Sequence, residues 1–341
     1  MLQPHHLQSM QRMVLNRLSE ERGLLHPFHY GVVEFGYRDS ELQNENIVIT
    51  RLVVVMPDGT VLKNGENMEL PGLDLKNEDA RNRFGSSFMV YLGLPRLQDN
   101  RANVVDPEKE IEDPATYRVY KADLYDENTG KNNRPIWLRR YNAQLLLEPD
   151  RNDMDVVPLM KIQYGVGGQS VVPRIDDEYA PPCLVLQGSG ILMNKLTDLT
   201  NAMESVLNQL DWGEKVGAGI SDAGDEDVGI VKLSRILRVR TLARYVARFK
   251  ELTATKGEGI APFPVFLGLR ELLCELATLQ FSENRELIEK AASYEHVNLA
   301  SSFGDIIDKI RSLLPESIEL MYEKFDFIMK GPGYYELEQQ I

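Results

Sequence analysis

The 341-residue sequence is poor in cysteine and has no long run of apolar residues. Its two cysteines, Cys183 and Cys274, lie far apart, which excludes a disulfide-rich scaffold and favours a reducing compartment. No segment approaches the roughly 18–20 apolar residues that a membrane-spanning helix needs. The first residues are rich in His and Gln, where a secretory leader has a basic and then an apolar stretch. We therefore predict a cytoplasmic protein without direct membrane insertion.

Positive charge is also scarce. The chain has 38 Lys and Arg against 52 Asp and Glu, a formal net charge of −14. Because nucleic acids and anionic membranes are bound by basic surfaces, this balance argues against a nucleic-acid partner. The hydrophobic content of 43% is ordinary for a globular protein. The length is sufficient for two domains with separate cores.

The sequence contains no complete catalytic or nucleotide-binding motif. Residues 165–168 (GVGG) lack the Lys-Ser/Thr of a phosphate-binding loop, and residues 187–190 (QGSG) depart from the GxSxG nucleophile elbow. Asp126, Asn128 and Gly130 resemble part of a calcium loop, but the closing carboxylate is missing. We interpret these three stretches as a turn, a helix entry and a hairpin turn, and we predict neither a cofactor nor an enzymatic activity.

Four of the five histidines, His5, His6, His26 and His29, lie near the N-terminus. Four imidazoles could bind zinc, but no HExxH motif and no suitable Cys or carboxylate spacing accompanies them. We favour packing or partner contacts for these residues and keep zinc binding as the alternative. His296 stands alone and is interpreted as structural.

The first half of the chain has the pattern of a β-rich domain. Residues 47–55 (IVITRLVVV) are dense in β-branched residues and are followed by residues 57–60 (PDGT), which predicts a hairpin turn. Residues 120–125 (YKADLY) alternate before a second turn at residues 126–130. Short strands separated by Gly, Asn, Asp and Pro favour a sandwich or barrel. One early helix is predicted over residues 5–22, from apolar residues at helical spacing.

After Pro181-Pro182 the apolar period becomes helical. Leucines and other apolar residues recur at steps of three and four from Leu192 to Leu210. A Gly- and Asp-rich loop (217–229) precedes a second helix around residues 242–249, and Pro262 and Pro264 precede a third. A fourth helix is predicted from about Phe303 to Leu313, ended by Pro315.

These patterns predict a segregated α+β fold, with a β-sandwich followed by an antiparallel four-helix bundle. The predicted domains are residues 1–185, with the N-terminal helical segment, and residues 186–315. Residues 316–341 are too few for a core of their own and are predicted to be a stub or tail, with residues 318–322 as a possible strand start.

One basic pattern stands out in the second predicted helix. Arg240, Arg244 and Arg248 repeat every four residues, opposite the apolar stripe. Like charges at this spacing destabilise an isolated helix slightly. The ridge indicates either an acidic neighbour, in another copy or a partner, or a solvated face balanced by nearby Asp and Glu.

Several passages, in this order, resemble the TssK (ImpJ/VasE) family of the type VI secretion baseplate. The similar passages are residues 2–8 (LQPHHLQ), 26–32 (HPFHYGV), 56–60 (MPDGT), 142–146 (NAQLL), 158–162 (PLMKI), 177–182 (DEYAPP) and 269–278 (LRELLCELAT). Each passage alone is weakly specific, but their order and spacing extend over residues 1–315.

The resemblance implies a β-sandwich shell domain, a helical bundle, homotrimerisation and a non-enzymatic role as a structural adaptor. In the family, the shell engages the TssF–TssG wedge, and a C-terminal head docks the cytoplasmic parts of TssL and TssM. That head would need roughly a hundred more residues than are present here. We select Leu2, Pro4, His5, His6 and Leu7 as a candidate partner-binding surface.

Two other interpretations stay open at this point. A phage-tail receptor-binding protein could share the shell architecture, and binding to cell-surface glycans would favour it. An enzyme of unrecognised type, using the histidine-rich N-terminus, is the third hypothesis. Alanine substitution of the four N-terminal histidines separates an enzyme, which would lose turnover, from an adaptor, which would lose complex formation.

Overall fold

The computed structural model describes residues 3–105, 115–148, 153–165, 172–217, 226–279, 285–314, 327–331 and 334–337. Apart from α1, the long helices follow most of the strands in the chain. The helices are α1 (Pro4–Leu25), α2 (Asp39–Leu42), α3 (Ala80–Phe84), α4 (Gly190–Gly217), α5 (Glu226–Ala254), α6 (Pro262–Thr278), α7 (Arg285–Glu289) and α8 (Leu299–Leu313). The strands are β1 (Gly31–Tyr37), β2 (Asn46–Ile47), β3 (Ile49–Val55), β4 (Val61–Lys63), β5 (Leu73–Asp74), β6 (Ser87–Pro95), β7 (Val104–Val105), β8 (Tyr117–Leu124), β9 (Arg134–Tyr141), β10 (Gln144–Leu146), β11 (Met154–Tyr164), β12 (Pro173–Ile175), β13 (Phe327–Gly331) and β14 (Tyr334–Leu337). The fold is therefore a mixed α+β fold, as predicted.

The described strands before α4 form four sheets. Their orders are β1-β3-β4, β10-β6-β11-β12, β7-β8-β9 and β2-β5, and every pairing is antiparallel except that of β7 with β8. The long strands β6 and β11 alternate buried and more exposed residues over much of their length, as expected when one face of a sheet covers a core. The buried residues of these sheets and of the helices form one continuous hydrophobic core.

The predicted turn at residues 57–60 is confirmed. Val55 pairs with Val61 across the hairpin of β3 and β4, and the Met56 amide donates to the Thr60 carbonyl at 2.8 Å. The Asp58 carboxylate accepts from the Thr60 amide at 2.8 Å. Gly59 has a φ of +85°, a conformation that glycine adopts without strain.

The second predicted turn, at residues 126–130, is confirmed and joins β8 to β9. One Asp126 carboxylate oxygen accepts from the backbone amides of Asn128 and Thr129, at 2.9 and 3.1 Å. Gly130 has a φ of +62° and its amide donates to the Asp126 carbonyl at 2.7 Å. This carboxylate therefore caps the turn, as the hairpin interpretation of the Asp-Asn-Gly spacing requires.

The four long helices from α4 onward contact one another in pairs. Helix α4 packs against α5 and α8, and α6 packs against α5 and α8. Their shared interior holds the apolar residues that the sequence placed on helical stripes, namely Leu192, Leu196, Leu199, Met203, Leu242, Phe249, Leu269, Leu272, Leu276, Phe303, Ile306 and Ile310, all at most 1% exposed. The predicted helix entry after residue 188 is also confirmed, because Ser189 precedes α4 and its hydroxyl accepts from the Leu192 amide at 3.4 Å.

Two boundaries differ from the prediction. Helix α5 begins at Glu226, inside the predicted loop 217–229. Helix α8 begins at Leu299, before the predicted Phe303, and its Asn298 side chain caps it by accepting from the Ser301 amide. The short helix α7 was not predicted.

The basic ridge of α5 finds acidic partners within the same chain. Arg244 pairs with Glu275 of α6, and Arg248 lies 4.0 Å from Glu271 of the same helix. For these two arginines, the interpretation as a face balanced by nearby acidic residues is confirmed, because i, i+4 carboxylates on α6 face them across the helix pair.

Aromatic side chains join the strand-rich part to the helical part. The Phe28 ring, between α1 and β1, lies 5.2 Å from Phe263, 4.6 Å from Tyr294 and 4.9 Å from His296. Backbone bonds close the same junction, from the Val32 amide to the Pro182 carbonyl at 2.8 Å. Pro181-Pro182, where the sequence period changes, thus lies at the contact between the two parts.

Residues 318–322, the possible strand start, lie outside the described residues. Beyond Leu314 the structure describes β13 and β14, which pair antiparallel with Phe327 opposite Leu337. In the described part of the chain, no helix combines the length and the apolar character that crossing a membrane requires.

Candidate functional site

The predicted partner-binding residues lie at the start of α1, except Leu2, which is outside the described residues. Pro4 opens the helix at a position that suits proline, because its missing amide proton has no helical acceptor there. The Gln3 amide donates to Nδ1 of His6 at 3.1 Å, so His6 caps the helix. His5 and His6 are exposed, and Leu7 is 51% exposed.

Polar contacts hold α1 against the strand-rich part. The Ser19 hydroxyl donates to the Asp58 carbonyl at 2.6 Å, and the Arg22 guanidinium donates to the Gly59 carbonyl at 3.0 Å. Both carbonyls belong to the β3–β4 turn. Arg12 pairs with the exposed Asp99 at 2.9 Å, and an exposed pair of this kind contributes about 1 kcal/mol or less. The attachment of α1 is therefore weak.

None of the 22 residues of α1 is buried. Its apolar side chains form a ridge that we call the α1 ridge, each about half exposed, comprising Leu7, Met10, Met13, Val14 and Leu18. In globular proteins the apolar face of a surface helix normally covers a core. A contiguous exposed apolar ridge instead indicates an interaction surface.

Two clefts separate α1 from the sheets. The larger, of about 340 Å³, has Leu15 and Leu18 on the helix side and Leu94, Leu97 and Tyr141 on the other. Burial, followed by the effects of Tyr117 and Asp58, raises the pKa of Tyr141 to about 12, so its hydroxyl stays protonated at neutral pH. The mixed lining suits an apolar peptide segment with a few hydrogen-bonding groups.

The N-terminal histidines do not converge. His5 and His6 lie at the start of α1, whereas His29 follows its end and Nε2 of His29 is 3.3 Å from the Pro57 carbonyl oxygen. Among the residues that the structure describes, no group of three or more His, Cys, Asp or Glu side chains is placed to hold a metal ion. The zinc alternative thus has no support in the described residues.

Sequence reasoning missed a second exposed apolar surface, the hairpin of β8 and β9. Ile136 and Trp137 are adjacent in sequence and point to opposite faces, yet they are 43% and 56% exposed. The sequence did contain a signal of this surface. Ile136 and Trp137 are adjacent apolar residues in a predicted strand, and a strand places adjacent side chains on opposite faces.

Among the residues that the structure describes, the buried cysteine and the buried histidine do not form a reactive group. Cys183 is fully buried, and burial raises the pKa of its thiol, so the thiolate is disfavoured. His296 is bonded to Tyr294 and to the Tyr30 backbone, which agrees with its predicted structural role.

Comparison with known proteins decides the family. The sequence profile of the family described as Bacterial Type VI secretion (EvfL, ImpJ, VasE) matches residues 6–340. The chain belongs to the TssK (ImpJ/VasE) family.

Solved TssK structures share the fold. A TssK-TssF-TssG baseplate subcomplex seen by cryo-electron microscopy contains a chain with a TM-score of 0.75 and 21% identity, covering 92% of this chain and 96% of that one. A crystal structure of TssK has a TM-score of 0.78 and 19% identity, covering 92% and 70%. TssK from the EAEC type VI system, in complex with a nanobody, has a TM-score of 0.68 and 22% identity, covering 90% and 98%. No curated protein sequence matches the chain.

Proposed function

We propose that this chain is a non-enzymatic structural component of a type VI secretion baseplate, which links the TssF–TssG wedge towards the membrane complex. The observation that carries the proposal is the match of nearly the whole chain to a TssK-family profile and to the TssK fold of a TssK-TssF-TssG subcomplex. A match to type VI secretion proteins favours this role over the phage-tail receptor-binding alternative.

The proposal assigns the architecture as well. The sheets over residues 1–185 form a β-sandwich shell domain, and residues 186–315 form an antiparallel four-helix bundle, followed by a tail over residues 316–341. The pairwise contacts of α4, α5, α6 and α8 support the bundle, since each of these helices touches two others. The protein acts on the cytoplasmic side as a homotrimer.

The N-terminal segment is the proposed wedge-binding surface. Leu2, Pro4, His5, His6 and Leu7 lie at or next to the start of a helix that exposes its apolar side chains and is held by surface polar contacts. A partner that covers this ridge gains apolar burial at about 25 cal/mol per Å². Substitutions on this surface should remove few contacts within the chain, because no residue of α1 is buried.

The test is the mass of the purified chain by light scattering, alone and with purified TssF and TssG. We expect a trimer that joins the wedge, and loss of wedge binding when residues 1–8 are removed, with the trimer and the circular dichroism spectrum unchanged. The matched control is Leu24→Ser at the other end of α1, where an exposed apolar residue is changed outside the proposed surface.

A chain that stays monomeric and ignores the wedge would refute the proposal. A second assay adds the cytoplasmic regions of TssL and TssM. Their binding to the trimer would extend the proposed link to the membrane complex, whereas its absence would limit the role to the wedge.

A further inference from the structure

Helix α5 carries an exposed apolar stripe on the side that faces away from the core. Leu233, Ile236 and Leu237 are 57%, 45% and 40% exposed. Together with the exposed Arg240 they follow the spacing i, i+3, i+4 and i+7, so they share one face of the helix. The buried residues of α5, such as Leu242, lie on the opposite face. We call these four exposed residues the outer face of α5, and a contiguous apolar surface of this kind indicates an interaction site.

This part of α5 is basic within an acidic protein. Residues 232–248 contain six basic residues and no acidic one. Two carboxylates of α6 engage Arg244 and Arg248. Arg240 has no ion pair within the described residues. Because complementary surfaces match apolar with apolar groups and positive with negative charge, the occupant that fits the outer face is apolar and acidic.

The C-terminal tail, residues 316–341, has that composition. It contains six acidic and two basic residues, and twelve of its residues are aliphatic or aromatic. The described strands β13 and β14 of the tail pair with each other, and a two-stranded hairpin is marginally stable by itself in water. A segment this short and this apolar therefore gains stability from a surface on which it can pack.

Helices α6 and α8 run in the same direction, which fixes where the chain leaves the bundle. The Phe266 ring packs on Phe303 with centroids 5.6 Å apart. One turn further along α6, Arg270 donates to the Ala292 carbonyl at 3.1 Å, and the Ala292 amide donates to Asp305 of α8 at 2.8 Å. Contacts therefore advance together along both helices, and α8 ends beside the end of α6.

The outer face of α5 lies at this same end of the bundle. The Ser234 hydroxyl donates to the Leu279 carbonyl, just beyond α6, at 3.4 Å. Both α5 and α8 pack against α6, and packed helices lie about 8–10 Å apart, so the axes of α5 and α8 are at most about 20 Å apart. Twelve residues, 315–326, separate the end of the bundle from β13, and an extended segment of that length reaches up to about 40 Å.

We propose that the tail of residues 316–341 packs on the outer face of α5 in the same copy, with its apolar residues over Leu233, Ile236 and Leu237 and its acidic residues beside Arg240. The outer face of a second copy would bring like charges together and is disfavoured as the occupant. The inference does not depend on the trimer or on wedge binding, so either can fail without the other.

The first experiment measures amide hydrogen exchange of residues 327–337 in the full chain by mass spectrometry. The double variant Ile236→Ser, Leu237→Ser should make these amides exchange about tenfold faster or more, because the packing surface of the hairpin is lost. The matched control is Leu267→Ser, which changes an exposed apolar residue near the start of α6, at the opposite end of the bundle. It should leave the exchange of the hairpin unchanged.

Charge variants test the electrostatic part of the contact. Arg240→Glu should also accelerate exchange of the hairpin, whereas Arg240→Lys, which keeps the charge, should retain most of the protection. The control Arg174→Glu reverses an exposed charge on β12 and should have no effect. Unchanged exchange within α6 and α8 verifies that the bundle stays folded in every variant.

A photo-cross-linking amino acid at position 237 identifies the occupant directly. The expected product joins position 237 to a peptide of residues 316–341 and migrates at the mass of one chain on a denaturing gel. A product at the mass of two chains would overturn the inference, because another copy would then cover the outer face. Rapid exchange of the hairpin in the wild type, or equal exchange in the wild type and the double variant, would also overturn it.

Discussion

At the scale of single residues, His296 connects the two parts of the molecule. Its Nε2 lies 3.0 Å from the Tyr30 carbonyl, which only accepts, so Nε2 carries the proton. Nδ1 lies 2.9 Å from the Tyr294 hydroxyl and accepts its proton. The neutral imidazole thus satisfies both contacts. The cationic form would place a second donor against the hydroxyl.

His296 should make the stability of the protein fall at acidic pH. Burial lowers its pKa below the ordinary 6.5, with a smaller contribution from His29. Because the folded pKa lies below the unfolded one, the stabilisation is present above about pH 6.5 and is lost as the pH falls towards the folded value, at a limiting slope of about 1.4 kcal/mol per pH unit. Urea unfolding at pH 7.5 and 5.5 measures the effect.

The control for this prediction is His296→Gln, which keeps a donor and an acceptor but does not titrate. The loss of stability between the two pH values should be smaller in this variant than in the wild type. An equal loss in both proteins would assign the pH dependence to other groups.

At the scale of elements, α1 and α8 differ most clearly in burial. Every third or fourth residue of α8 is buried, from Leu299 to Leu313, whereas α1 has no buried residue. Both have apolar residues at helical spacing in the sequence. The periodicity therefore identified two helices, but it did not distinguish a helix that packs in a core from one that presents its ridge to solvent.

This contrast predicts unequal effects of substitution. Phe303→Ala, at a fully buried position, should lower the free energy of unfolding by about 3–5 kcal/mol, through lost burial and the cavity that remains. Val14→Ser on the α1 ridge should change it by about 0.5 kcal/mol or less. Urea unfolding at a fixed protein concentration checks both values. A large loss for Val14→Ser would mean that the ridge is covered within a single copy.

At the scale of the whole molecule, the junction around Phe28 decides whether the two parts unfold together. The Phe28 ring touches Phe263, Tyr294 and His296 of the helical part while its backbone leads into β1. Since the buried residues of both parts form one core, the wild type should unfold in a single calorimetric transition. Phe28→Ala should separate the single transition into two, because it removes the ring that contacts Phe263, Tyr294 and His296 of the helical part.

The matched control is Phe84→Ala, which removes a ring that packs on Phe88 within the strand-rich part, with centroids 6.0 Å apart. It should lower the melting temperature without splitting the transition. A single transition for Phe28→Ala would show that the remaining backbone and apolar contacts suffice to couple the two parts.

Much of the local structure was predictable because it depends on neighbouring residues. The Pro-Asp-Gly-Thr turn, the Asp126 turn, the early helix and the helical stripes after Pro182 follow from backbone preferences and from the 3.6-residue period. The resemblance to the TssK family was likewise recognisable, from the order of the similar passages along the chain. The sequence also indicated that His296 is structural, although its partners Tyr30 and Tyr294 were not apparent.

Only the tertiary structure decided which surfaces are left uncovered. Arg244 of α5 is paired with Glu275 of α6, because the packing of the two helices brings residues 31 positions apart face to face. The α1 ridge and the apolar side chains of the β8–β9 hairpin stay about half exposed in the described structure. Burial depends on how the elements pack in the folded chain, and the periodicity of one element does not reveal it. The sequence by itself therefore determined the main elements and the family. The packing decided which apolar faces of those elements are available to partners.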